Sequence, residues 1–457
     1  MSRETGRLGD SLATLKSRNS ITHDSEMGAF MFGKKSVETL VVGAGPCGML
    51  AALTLADAGN DVAIVDSAPR ACTSSNSAIL HPSTLKVLER MGMVERLIEA
   101  GYRIEKIDIY DGISHRDTLN LSELPIAFPY ALSIPQSELE LFLEDELEQA
   151  GIRVLWNHRV SEYQEEEGEL NVTVDRYSER DTGYAVSHTE RVIVKSLHFK
   201  AKTMIAADGY NSILRRIAGV EPTPLGDNQY FVSFEFETDR DPKHTYLLSF
   251  KDDLATAQHP MEGGIARLQF QFSGLTLPSS NREKDRSFLQ DKSSLPDYLD
   301  EKHFNELLKS RVPWRTGYIN RLRYRAAIPF VKRYLKKPRS GNVLFLGDSA
   351  RSFGPLGSLS LNLGIQEAEQ LAKTILETAD EPQYRDERFD QICQKMVDTW
   401  KQLANLDEFA VPGEMAEPWI SKNRGKILRA LPATGDTLER LANQAFIHIN
   451  TQEFSQI

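Results

Sequence analysis

The stretch Thr39 to Asp66, TLVVGAGPCGMLAALTLADAGNDVAIVD, restricts the fold more than any other part of the chain. Leu40 to Val42 form an apolar run of the kind a buried parallel strand needs. Gly43, Gly45 and Gly48 follow in G-x-G-x-x-G spacing, with Pro46 and Cys47 between the last two. The first glycine allows a tight turn, the second lets the backbone approach a pyrophosphate, and the third lets the next helix pack on the strand. Leu50, Leu53 and Ala56 give that helix an apolar face, and Gly59 is placed to end it. A second apolar strand, Val62 to Val65, finishes on Asp66, about 20 residues past the glycines, where an acid meets a ribose hydroxyl pair. Strand, glycines, helix, strand and terminal acid together imply a dinucleotide site.

A length of 457 residues leaves room for two or three substructures. The balance of 54 Lys and Arg against 65 Asp and Glu, net −11, argues against a nucleic-acid partner, which requires a concentrated basic face. Three cysteines, Cys47, Cys72 and Cys393, are too few and too scattered for a disulfide framework or a zinc site, so no metal is expected and a reduced, cytoplasmic compartment is. No run of about 18 uncharged apolar residues occurs, and no stable membrane insertion is expected.

Residues 1–36, rich in Ser and Thr and without apolar periodicity, read as a flexible leader, with Met27 or Met31 as alternative starts. Residues 37–224 read as the first part of an α/β nucleotide-binding domain. Within it, Pro82 to Gly92 and the segment after Ser137 are helices, the latter started by a Ser137/Glu140 capping box with Leu139, Phe142, Leu143 and Leu147 on one face. The acidic run Glu165 to Glu169 reads as a solvated hairpin loop. Residues 225–330 change to period 2 in QYFVSFEFET, HTYLLSF and ARLQFQFSG, which predicts a large antiparallel sheet, interrupted by a short helix near Phe304 to Leu308. Residues 331–376 return to the first domain with VLFLGD, a loop, and a helix from about Leu361. Residues 377–457 read as helical, with Phe389, Ile392, Met396, Trp400 and Leu403 on one face. Asp436 and Glu439 cap a last helix whose stripe is Leu438, Leu441, Ala445 and Ile449.

Three signals stand in order along the chain: GAGPCG at 43–48, DGYNSILR at 208–215, and GDSARSFGPLG at 347–357. Their order resembles the single-component flavoprotein aromatic hydroxylases, the FAD-dependent monooxygenases of the p-hydroxybenzoate hydroxylase type. The resemblance covers most of residues 37 to 375. It implies a Rossmann-like FAD-binding domain with an interleaved antiparallel-sheet substrate domain and a C-terminal helical region. It implies that the first motif and Asp66 hold the ADP half of FAD, and that Asp208, Gly209 and Arg215 support FAD and a transient NAD(P)H. It places Gly347 and Asp348 at the ribityl chain with Gln136 beside it. The loop through Pro355 and Gly357 would run along the flavin ring, and Asn362 would begin the helix behind it. Helix N-termini suit a diphosphate and an anionic reduced ring by their unpaired N–H groups and dipole. The activity implied is hydroxylation or epoxidation of an aromatic or polyketide-like molecule with NAD(P)H and O2, through a flavin hydroperoxide. Flavin carries that chemistry, so no side-chain acid or base is expected beyond the ring loop.

The chain departs from the family at several places. Arg351 stands where the family usually has His, Ser358-Leu359-Ser360 where it has a glycine-rich run, Glu367 where it has Asp, and Asn76 where it has a flavin-facing Arg. Serine in place of those glycines should either be strained or redirect the backbone. Two other readings stand beside the first: an FAD-dependent dehydrogenase or reductase of the same fold, and a catalytically weakened flavin-binding protein. A halogenase would need W-x-W-x-I-P, and Trp156 and Trp314 stand alone. His81, His115 and His259 are candidate pocket histidines that carry no assignment, since a lone histidine is more often structural.

Overall fold

The computed structural model describes residues 34–72, 77–182, 188–227, 229–240, 243–273, 297–312 and 317–449. Asn76, Trp314 and the leader up to residue 33 lie outside the described residues. The chain enters through β1 (Lys35–Val42), turns into α1 (Pro46–Asp57) and returns as β2 (Val62–Val65). Next come β3 (Ser77–Leu80), β4 (Ala131–Pro135), α2 (Gln136–Gln149), β5 (Val154–Leu155) and the long β6 (His188–Ala206). The antiparallel region supplies β7 (Gln229–Thr238), β8 (Thr245–Lys251), β9 (Leu254–Met261), β10 (Ile265–Phe272) and β11 (Ile319–Phe330). The chain then gives β12 (Val343–Phe345), α3 (Leu359–Asp380), α4 (Arg385–Ala404) and α5 (Pro418–Ala430).

The dinucleotide-type sheet runs β12-β6-β1-β2-β5, with every one of these pairings parallel. β1 and β2 are buried on both faces, which is why they read as unbroken apolar runs. β6 pairs along both of its edges within one eight-stranded sheet. Its first part is a hairpin partner of residues 169–182, and its end, Thr203 to Ala206, lies between β1 and β12. Glu167 and Gly168 make the turn of the acidic hairpin, both at positive φ.

The second sheet runs β11-β7-β10-β9-β8 and continues into residues 106–111 and 114–120. Residues 106–111 pair in parallel with β8, so two strands of the sheet come from before residue 225. Sequence spacing cannot reveal that, because a parallel partner is set by a long crossover and not by a turn. One face of β7 and β10, with Val232, Phe234, Phe236, Leu268 and Phe270, packs on Phe304 and Leu307 of the helix at residues 301–311. The opposite face carries Phe231, Ser233 and Glu235. It is buried too. Both faces are therefore covered, and the polar members of the alternation are not solvent-facing.

Two capping expectations fail. α2 begins at Gln136 directly behind Pro135, with no side-chain cap, so Ser137 lies inside the first turn. Glu140 is buried and accepts instead from the Cys72 backbone N–H (2.6 Å) and from Gln136 Nε2 (2.6 Å). The last helix, Gly435–Gln444, has Thr434 and not Asp436 at its N-cap, with no side-chain cap, and Ile449 belongs to a strand, Ile447–Ile449, paired with Ala410–Pro412. Among the described residues no helix is long and apolar enough to cross a membrane.

Candidate active site

Four motifs that lie far apart in sequence meet because they follow the carboxyl ends of four adjacent parallel strands. Gly43 follows β1, Asp66 follows β2, Asp208 lies just past β6, and Gly347-Asp348 lies just past β12. In open parallel sheets that edge is where ligands bind.

The glycines divide their work as the spacing predicts. Gly43 has φ +108, and a Cβ there would lie 2.2 Å from the Ala207 carbonyl oxygen. At Gly48 a Cβ would lie 2.0 Å from the Gly43 carbonyl oxygen, so these two positions are closed by packing. Gly45 has nothing within 4 Å of a Cβ position, and it caps α1 with no side chain covering the helix N-terminus. An open glycine at an uncapped helix N-terminus fits the diphosphate of FAD, and Gly45 with the first turn of α1 would hold it. Cys47 faces inward: a Cβ on Gly364 would lie 2.4 Å from its Sγ, and burial pushes its thiol up to about 12. It is a packing residue between α1 and α3.

Asp66 already has partners. Its Oδ2 accepts from Ala44 N (2.7 Å) and its Oδ1 from Ala68 N (2.6 Å), so the carboxylate shapes the glycine turn. Two N–H bonds leave lone pairs available to hydroxyls. Asp208 Oδ2 accepts from Ile213 N (2.7 Å) and Leu214 N (3.0 Å), while its Oδ1 is buried without a partner. Burial pushes this carboxyl up, against the Ser212 hydroxyl and the N–H groups that lower it. Gly209, at φ +77, lets the chain turn into that cap. Arg215 is buried and donates to the carbonyls of Ser349 (2.8 Å) and Tyr210 (2.8 Å), tying the second motif to the third. Burial raises Asp348 as well, with Arg351, Arg333 and Arg215 pulling it back.

The ring loop follows. Gly354 (φ +107) and Gly357 (φ +64) flank Pro355, and Ser358 takes φ 56, ψ 30 in the left-handed region. Of the two serines that replace glycine, only Ser358 is in a glycine-like conformation. Ser360 lies within α3, where its Oγ accepts from Phe353 N (3.0 Å). Ser358 Oγ accepts from Ile79 N (3.0 Å). Asn362 is wholly buried: its Oδ1 accepts from His81 N (2.7 Å), and its Nδ2 donates to Ile79 O (2.7 Å) and Ser358 O (2.8 Å). His81 Nε2 lies 2.6 Å from Gly357 O, and burial lowers this histidine to about 4. Asn362 and Gln136, both expected at the cofactor, are thus committed to protein partners, Gln136 to Glu140. The first braces β3 against the ring loop. The second braces the loop at Cys72.

A cavity of about 260 Å³ separates the ring loop from the antiparallel sheet. Phe231, Phe250, Ala255 and Gln271 come from the sheet, Phe353, Gly354 and Leu356 from the loop, and Lys426, Arg429 and Ala430 from α5. A second cavity of about 330 Å³ adjoins it and shares Lys332, Phe353 and Arg429. Sequence reading missed Lys332 and the contribution of α5. The only signal was the basic run near residue 332, and nothing in the periodicity of α5 tells which wall it forms. Beyond the cavity, the same sheet face holds buried Glu235, Arg267 and His259, with Arg267 Nε 3.5 Å from Glu235 Oε1. Among the described residues no group of His, Cys, Asp and Glu is arranged to hold a metal ion.

The sequence matches the FAD binding domain family over residues 36–397. Para-nitrophenol 4-monooxygenase from Pseudomonas sp. (strain WBC-3) is 24% identical over 347 residues, which is 74% of this chain and 77% of that protein. Pentachlorophenol 4-monooxygenase from Sphingobium chlorophenolicum is 25% identical over 342 residues, covering 73% of this chain but 56% of the relative. Among solved structures, p-nitrophenol 4-monooxygenase PnpA from Pseudomonas putida DLL-E4 has the same fold with a TM-score of 0.67 at 17% identity, over 92% of this chain and 98% of that one. Aklavinone-11 hydroxylase, solved with FAD and aklavinone, gives a TM-score of 0.60 at 17% identity, over 81% and 69%. The chain belongs to the FAD binding domain family, and it is an FAD-dependent monooxygenase of the aromatic hydroxylase type.

Proposed function

We propose that the chain uses NAD(P)H and O2 to hydroxylate or epoxidise an aromatic or polyketide-like small molecule in the cavity between the ring loop and the antiparallel sheet. The observation that carries this reading is the juxtaposition of two surfaces. The carboxyl edge of the parallel sheet gathers the three motifs, and the ring loop that leaves it forms one wall of an aromatic-lined cavity. Relatives whose names state nitrophenol and chlorophenol substrates support an aromatic ring as the occupant. Bound FAD would supply the redox and oxygen chemistry. The chain's own residues hold the diphosphate at Gly45, position the ribityl side through Asp348, and shield the site from water with Phe231, Phe250 and Phe353.

The test is direct. The purified full chain should carry a flavin spectrum and consume NAD(P)H and O2 together when a phenol or polyketide is added. A colourless protein that takes up no added FAD, or NAD(P)H oxidation without substrate-dependent oxygenation, would overturn it. A flavin-binding protein of weak turnover is the second reading, favoured by the bonds from Ser358 and Asn362 that tie β3 to the ring loop. Firm FAD binding with only background NAD(P)H oxidation would select it.

A further inference from the structure

We propose that His81 is a positioning residue for the flavin, acting through the Gly357 carbonyl of the ring loop, and that the loop 431–434 holds it to that task through Thr434. The inference rests on the ring loop lying along the flavin, as the oxygenase reading requires. Gly357 and Ser358 are consecutive residues in the left-handed region, with φ +64 and 56. Two such residues in a row, the second carrying a side chain, persist only where the surroundings brace them. The brace comes from beyond the matched family region, which ends at residue 397. A Cβ on Gly357 would lie 2.7 Å from Leu431 O and 2.8 Å from Ala430 O. On the same side, the Gly357 N–H hydrogen-bonds to the Tyr246 hydroxyl, which donates to Ala430 O (3.2 Å). Leu431, Ala433 and Thr434, which join α5 to the last helix, are all buried, whereas connecting loops ordinarily run over the surface.

Donor and acceptor capacity gives each bond a direction. Gly357 O only accepts, so His81 Nε2, 2.6 Å away, carries the hydrogen. His81 is fully buried and burial holds it neutral, which leaves Nδ1 a bare acceptor. Thr434 Oγ1 faces Nδ1 at 3.4 Å, and its single hydrogen goes there. Thr434 Oγ1 then accepts from Ser83 Oγ (2.6 Å) and from Gln366 Nε2 (3.2 Å). Gln366 Nε2 also donates to Asn362 O (3.1 Å). The chain therefore runs one way, from Ser83 through Thr434 and His81 to the ring loop. His81 is not among the residues lining either cavity, so it acts through the Gly357 carbonyl and not by contact with substrate. Its N–H offsets the partial negative charge of that carbonyl. With the oxygen unpaired, the loop would disfavour the extra negative charge of a reduced ring beside it, in a site where charge is poorly screened.

The test is the midpoint potential of FAD bound to the full-length protein, measured by equilibration with a reference dye. His81→Phe should move the midpoint to a more negative value, so that several-fold less flavin is reduced at a fixed potential. His81→Gln, whose side-chain amide can donate to Gly357 O, should stay near the unsubstituted value. If His81→Phe does not fold, Thr434→Val, which keeps the shape and loses the hydroxyl, should shift the midpoint in the same direction, and Thr434→Ser should not. A role in packing alone would lower stability to urea and leave every midpoint where it was. An unchanged midpoint in His81→Phe, or in Thr434→Val where the first variant does not fold, would overturn the proposal. So would a shift in His81→Gln as large as that in His81→Phe. The readout needs no substrate, so it separates from the oxygenase reading. A protein that shows the shift yet hydroxylates nothing loses the proposed reaction and keeps the positioning residue; one that oxygenates a phenol with an unshifted midpoint does the reverse.

Discussion

Arg351 Nη2 donates to Glu367 Oε2 at 2.7 Å, and both side chains are completely shielded from water. Each is a departure from the family pattern, and each is the other's partner. Arg351 Nη1 also donates to Ser360 O (3.1 Å), while Glu367 Oε1 accepts from Trp400 Nε1 (2.7 Å) of α4. Burial pushes the Glu367 carboxyl up, and Arg351 and Trp400 hold it back. The pair joins the ring loop, α3 and the C-terminal region. Arg351→Met should strand a buried carboxylate and lower stability by about 3–5 kcal/mol. Adding Glu367→Gln removes that charge, keeps an acceptor for Trp400, and should recover about 1–2 kcal/mol. Urea unfolding of the four proteins measures the cycle. A double variant no more stable than Arg351→Met would remove the compensation argument.

Asp66 binds two backbone N–H groups, so Asp66→Ala should do more than delete a ribose contact. Ala44 N loses its acceptor, the glycine turn loosens, and stability should fall by about 1–3 kcal/mol even without FAD. FAD affinity should fall more than tenfold with it. Thermal unfolding of the apoprotein and flavin titration report the two effects separately. An apoprotein as stable as the unsubstituted one would show that the turn does not depend on this carboxylate.

The parallel half of the fold was legible because its signals are local: apolar strand, glycine turn, helix, and an acid at the next strand end, all within Thr39 to Asp66. α3 was legible for the same reason, as a helix expected from about Leu361 and found from Leu359. The parts that escaped depend on distant partners. Residues 106–111 join β8 across more than a hundred residues, and Glu140 leaves its cap for Cys72. At the site, glycine roles could be read from conformation, since only glycine tolerates the approaches at Gly43 and Gly48. Asn362 and Gln136 are in or beside the expected elements, but their hydrogen bonds run to Ile79, His81 and Glu140, which no spacing rule connects.

Acid should destabilise the fold through two histidines. Burial lowers His81 to about 4, and burial with the nearby Arg267 guanidinium lowers His259 to about 3. In the unfolded chain both titrate near 6.5. Between those values the unfolded chain takes up protons that the folded chain refuses, so stability is present above 6.5 and falls as pH drops through and below it. Each group contributes a slope of about 1.4 kcal/mol per pH unit once well below its unfolded pKa. Asp208, Asp348 and Glu367, raised by burial, act in the opposite direction, because the folded chain holds their protons more tightly. A difference measurement removes them. His259→Asn should flatten the dependence of unfolding free energy on pH below about 6 by about one such slope. Identical slopes in the two proteins would show that His259 is not held neutral.

Ser358 and Ser360 replace glycines on the ring loop, but the structure separates their consequences. Ser358 holds φ 56, where a side chain costs about 1 kcal/mol, and its Oγ bond to Ile79 N offsets a similar amount. Ser358→Gly should therefore leave stability within about 1 kcal/mol of the original while cutting one bond between the loop and β3. That bond and the Asn362 bonds restrain the loop expected to run along the flavin ring, and a freer loop should give NAD(P)H readier access to the ring. Ser358→Gly should speed reduction of bound flavin several-fold and change FAD affinity little, since it leaves untouched Gly45, where the diphosphate is expected. Ser360 is helical, and its Oγ accepts from Phe353 N, so Ser360→Gly should destabilise the start of α3 by about 1 kcal/mol without speeding reduction. Anaerobic stopped-flow bleaching of the flavin absorbance distinguishes them. Equal rates in Ser358→Gly and the unsubstituted protein would mean that the strained serine does not restrain the ring.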